Sequence, residues 1–196
     1  MARKKSIKRA SKLFLDHANT IEGFLRSLPP NFSAEHVSWA HEYAIIRLYR
    51  EFELLILAAL IGAINNDSSA LSERVGIPLP KHLRDEVCEY ILLGEGYFDF
   101  KGRDGLIQRI KKYIPDTHYL VKTVRDDQYK TAIERLCSLR NLAAHQSAYA
   151  KAQAKKAIGT KKISSAGAWL KKQKRFEGLL KALRLFAADL EKHAPY

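Results

Sequence analysis

The run Leu54–Ile64, LLILAALIGAI, restricts the fold more than any other part of the chain. It carries no charge, yet it falls well short of the about 20 apolar residues that cross a bilayer. Arg47, Arg50, Glu51 and Glu53 precede it directly. Upstream, Ile45, Leu48, Tyr49, Phe52, Leu55, Ile56 and Ala59 recur at steps of three and four, the period of one helical face. Ser33 stands just before Ala34-Glu35-His36 and makes a good helix start. The pattern predicts one long helix from there to about Asn65. Its second half is apolar all round and belongs at the centre of a domain.

The rest of the chain reads as more helix. Residues 4–27 form a basic helix stopped by Pro29-Pro30. Asn65-Asn66-Asp67-Ser68-Ser69 is a break of turn formers. Short helices are expected at 69–75, 81–93 and 105–114, with the glycine-punctuated GEGYFDFKGRDG (94–105) as a packed loop. Residues 125–150 form a further helix. Gly159, Ser164, Ser165 and Gly167 loosen the chain before a last helix at about 168–192. There is no internal repeat and little strand signal, so the fold class is an all-α bundle. A single domain over 1–196 is expected, with its core at about 33–192.

Charge narrows the partners. The formal net charge is +13, an excess that draws polyanions through phosphate contacts and counterion release. Nucleic acid is the first candidate, ahead of an anionic membrane surface. Asp16, His17 and Asn19 interrupt any apolar block behind the basic N-terminus, so a signal peptide is not expected there. Cys88 and Cys137 are read as two buried thiols in a reducing, cytoplasmic setting.

One stretch carries chemistry: SLRNLAAHQS, residues 138–147. On a helix, Ile133, Leu136, Cys137, Ala143 and Ala144 fall within about 60° of Arg140, which places Arg140 inside the apolar stripe. A guanidinium there is costly unless it is paired or faces something polar. Glu42, Glu51 or Glu53 is a possible partner. Asn141 and His145 share another face, and on a straight helix Arg140 and His145 diverge by about 140°. They act together if the helix deforms near Asn141, or if a twofold axis sets two copies of the helix side by side. The small side chains of Ala143 and Ala144 permit that approach. The residue types suit RNA cleavage. An imidazole exchanges protons near neutral pH. Arginine grips a phosphate with two prongs and offsets transition-state charge. Asparagine orients either group, and no metal or cofactor is needed.

The spacing alone is weak, since chance supplies about half of one Arg–x4–His pair in such a chain. In context, residues 40–150 resemble the HEPN superfamily, in particular its ribonuclease-like members. RNLAAH matches the family's late Arg–polar–His motif, and AIIRLYREFELLILAALI looks like its second helix. The resemblance implies a HEPN-type bundle, here with an additional C-terminal helix and a basic N-terminal helix. It implies a metal-independent endoribonuclease with Arg140, Asn141 and His145 as catalytic residues. It also implies a homodimer through the helix that carries them, and a toxin or phage-defence setting with an antitoxin or defence-system partner.

Between Arg135 and Phe176 there is no Asp or Glu. Lys151, Lys155, Lys156, Lys161 and Lys162 follow the motif there and are the expected RNA-binding residues. Lys171, Lys172, Lys174 and Arg175 continue the run. Segment 151–168 is expected to be partly mobile until RNA binds. Arg3, Lys4, Lys5, Lys8, Arg9 and Lys12 form a second basic cluster. His36 and His41 are wrongly spaced for one metal ion, and no HExxH motif is present. The alternative function is an inactive helical module that binds nucleic acid or docks a partner.

Overall fold

The computed structural model describes residues 6–94 and 96–194, so Arg3, Lys4 and Lys5 of the N-terminal cluster lie outside the described residues. Among the described residues the chain is all-α, as the periodicity predicts. The helices are α1 (Ile7–Arg26), α2 (Ala34–Asn66), α3 (Ser69–Val75), α4 (Asp85–Leu93), α5 (Gly102–Ile110), α6 (Tyr119–Arg125), α7 (Asp127–His145), α8 (Ala148–Ile158), α9 (Ala166–Leu170) and α10 (Arg175–His193). None of them is long and apolar enough to cross a membrane. Two compact units are distinguishable, and α1, α2 and α10 each contribute residues to both.

Among the described residues, the first unit holds 53–94 and 96–126 together with 6–14 and 186–194. Every residue of α2 from Leu55 to Asn65 is buried, as an all-apolar helix demands. The break after it is clasped rather than loose. The Asn65 amide donates to Asp85 at 2.5 Å, and Ser68 Oγ donates to the Pro80 carbonyl at 2.6 Å. The aromatic loop after α4 is packed through Phe98 and Phe100, both buried. The Arg109 guanidinium lies over Phe98 and donates to the Leu92 carbonyl at 3.1 Å. Helix α6 has no counterpart in the sequence reading. His118 caps it, with Nδ1 accepting from the Leu120 amide at 3.1 Å. Cys88 is buried and in no disulfide, as is Cys137 of the second unit, and burial pushes the Cys88 thiol up to about 11.

The second unit holds residues 15–52 and 127–185. Ser33 caps α2 as expected, its Oγ accepting from the His36 amide at 3.1 Å. Ala44, Ile45, Leu48, Tyr49 and Phe52 of α2 are buried, and so are Ile133, Leu136, Leu139 and Leu142 of α7. Within segment 151–168 two stretches are helical, in α8 and at the start of α9. The lysine–alanine alternation forms α8, with Ala150, Ala154 and Ile158 buried one turn apart and the helix folded back on α7. Gly167 is a close-packing residue rather than a loosening one. A Cβ there would lie 1.8 Å from the Ser38 carbonyl oxygen, and its N–H donates to Glu42 Oε1 at 3.3 Å.

Candidate functional site

Helix α7 starts with an acidic first turn at Asp127 and runs as regular α-helix to His145. Its buried stripe is Tyr129, Ala132, Ile133, Leu136, Cys137, Leu139 and Leu142. The expected single helix over 125–150 is two helices at a tight corner. Gln146 takes a left-handed conformation with φ 46, and Ser147 then caps α8, accepting from the Ala150 amide at 3.1 Å. The corner sets His145 at the exposed end of α7, among the exposed residues Ala144, Gln146 and Ser147.

Arg140 is half-buried on the stripe, and its charge is accommodated by an aromatic face and an amide. The guanidinium carbon lies 4.3 Å from the Tyr49 ring centroid, and Nη1 donates to Asn141 Oδ1 at 2.7 Å. A cation–π contact of this kind is worth about 0.5–2 kcal/mol. Two of the three suggested carboxylates are engaged elsewhere. Glu51 is bound by His17 and Arg47, and Glu42 takes the Gly167 amide. Arg140 and Asn141 are therefore brought together, whereas His145 is not joined to them. On a regular helix it lies about 7.5 Å further along and about 140° around the axis from Arg140. The deformation near Asn141 that would unite them within one chain is absent.

The predicted RNA-binding lysines follow the corner. Lys156, Lys161 and Lys162 are exposed, and Lys151 and Lys155 are half-exposed. A cleft of about 400 Å³ opens beside the end of α7, between Gln146, Trp39, Ser165 and Lys171. Glu35 and Glu42 also line it, so its charge is mixed.

Two arrangements escaped the sequence reading. His17 Nδ1 binds the buried Glu51 carboxylate, and Arg47 reaches the other oxygen at 2.8 Å, as an ion pair whose angle falls short of a hydrogen bond. This network borders a mostly apolar cleft of about 700 Å³ walled by Phe24 and Tyr43. His17 and Glu51 are 34 residues apart, so no local pattern joins them. The second arrangement surrounds Trp169. Arg175 lies 4.6 Å from the ring centroid and Arg135 lies 5.6 Å from it. The signal available for that group was a tryptophan inside the acid-free interval. Among the described residues no cluster of His, Cys, Asp and Glu has the makings of a metal site.

No protein-family model, curated protein or solved structure matches the chain. The functional reading therefore rests on the residues and their geometry.

Proposed function

We propose that the protein is a metal-independent endoribonuclease of the HEPN type, acting as a homodimer whose two copies of α7 meet around one cleft. The observation that carries this reading is the state of the RNLAAH segment at the end of α7. Arg140 is pre-oriented over Tyr49 by Asn141, and His145 is exposed on the last turn. An arginine has five N–H donors, and the single bond to Asn141 leaves others for a phosphate.

In the reaction, His145 takes the proton from a ribose 2′-hydroxyl as its oxygen attacks the adjacent phosphorus. The bond from phosphorus to the 5′-oxygen breaks, and a proton is returned to that oxygen. The products are a 2′,3′-cyclic phosphate and a free 5′-hydroxyl. Arg140 offsets the charge that builds on the phosphorane oxygens. The 140° between Arg140 and His145 favours a shared site, with the arginine of one copy serving the histidine of the other. The exposed Ala144 and the half-exposed Ala143 leave room for two helices to approach.

A second reading, a nucleic-acid-binding module without catalysis, is favoured by one observation. Within one chain Arg140 is engaged by Tyr49 and Asn141, apart from His145, while the lysines of 156–162 stand free on the surface. Incubation with mixed tRNA and mRNA in EDTA separates the two. The nuclease yields fragments ending in cyclic phosphate, and His145→Ala abolishes them while RNA is still retarded on a gel. Retardation without fragments from the wild type indicates the binding module. Equal cleavage by both proteins contradicts the assignment of His145.

A further inference from the structure

We propose that the cleft around Trp169 is a phosphate-binding subsite that grips the backbone of single-stranded RNA. The cleft measures about 710 Å³ and is lined by Arg135, Lys162, Lys172 and Arg175 together with Thr160 and Ser164. No carboxylate lines it, because the chain from 136 to 175 contains none. The two guanidinium groups are held rather than waving in solvent. Each lies within cation–π range of the Trp169 ring. Arg175 also donates to the Trp169 carbonyl at 3.2 Å and to Gln173 Oε1 at 2.6 Å.

The cleft is built at some conformational cost. Gln173 and Lys174 both take φ 54, a left-handed conformation unfavourable for residues with a Cβ. Such strain collects at ligand sites, where the surrounding structure enforces it. Here it turns the chain so that Lys172, Gln173 and Arg175 all reach the same cleft. Convergent cations with hydroxyls suit a phosphodiester, and an indole beside them suits the bases of a single strand.

The position fits a cutting site on α7. Arg135 and His145 are ten residues apart on one regular helix, about 15 Å along the axis and about 80° around it. That spacing corresponds to about four stacked nucleotides at about 3.4 Å each. The choice of RNA as the strand rests on the nuclease reading, whereas the phosphate site stands on the cleft itself.

The test uses an octamer of 2′-O-methyl uridylate, which has no attacking hydroxyl, with the full chain carrying Trp39→Phe. Trp39 and Trp169 are the two tryptophans, so the remaining emission reports on Trp169. The octamer should change that emission on binding. Lys162→Ala/Lys172→Ala, two exposed changes, should raise Kd at least tenfold and reduce the slope of log Kd against log salt by about 1.4. The equally exposed pair Lys112→Ala/Lys122→Ala serves as the charge-matched control and should leave Trp169 emission on binding unchanged. A silent Trp169, or equal weakening by both pairs, overturns the proposal. Unmodified octamer separates the two readings. Binding lost in the cleft variant with no cleavage by any protein supports the cleft and removes the nuclease. Cleavage of dilute RNA at the same rate by the cleft variant removes the cleft and leaves the nuclease.

Discussion

A charge placed inside an apolar helix stripe must find compensation, and Arg140 finds it in the Tyr49 ring and the Asn141 amide. The sequence placed Arg140 on the stripe through helical arithmetic, but not its partner, because Tyr49 is 91 positions away in the chain and aromatic faces leave no local signature. Glu51 shows the complementary case, a buried carboxylate held between His17 and Arg47. His118 is a third, and it gives the fold a pH dependence. Burial lowers its pKa from the usual 6.5 to about 4, and the nearby Asp67 opposes that shift only in part. Its Nδ1 must stay unprotonated to accept from Leu120. Between pH 6.5 and 4 the unfolded chain therefore binds a proton that the folded one does not. The stabilisation from His118 is complete above pH 6.5 and is lost progressively as the pH falls towards 4. For a ring that retains some exposure, about 1–2 kcal/mol should go between pH 7 and 5. His118→Asn keeps an acceptor at the cap without a titrating group. Urea midpoints at the two pH values should differ less in this variant than in the wild type, and an equal difference would remove His118 as the cause.

Helices were legible where a periodic stripe and a standard cap agreed. Helix α2 was read from Ser33 to its apolar second half, because both signals are local. The ends of the later helices were not. Gln146 breaks α7 from α8, and Gln173 with Lys174 precedes α10, each through a left-handed residue that is neither Gly nor Asn. Helix α6 is short and is capped by a histidine, so it carried no start signal. Gly167 was read as a loosening residue, although α9 packs tightly against Ser38 of α2 there in the second unit. Gly167→Ala should therefore cost about 2–4 kcal/mol, since the obstacle is a backbone carbonyl that cannot rotate aside. Gly178→Ala, on open space within α10, serves as the control and should be neutral or slightly stabilising. Equal melting temperatures for the two variants would mean that α9 yields easily.

For the whole molecule, the net charge of +13 is the most general fact, and the acid-free interval from 136 to 175 concentrates part of it behind α7. That much favours a polyanionic partner, and the charge excess is legible from composition alone. The proposed site was only half legible. The motif residues and the angle between them could be read from the sequence, whereas the regularity of α7 through Asn141 required the structure. With α7 regular, the site proposed above needs a second copy to bring an arginine and a histidine together. Complementation tests this central claim most directly. Arg140→Ala and His145→Ala are co-expressed, purified together and given RNA in EDTA, alongside each variant alone. With a site shared across a twofold axis, each variant alone is inactive and the mixture recovers about a quarter of wild-type cleavage, since half the dimers are mixed and each keeps one of two pairs. A mixture as silent as its components, beside an active wild type, would contradict the shared site.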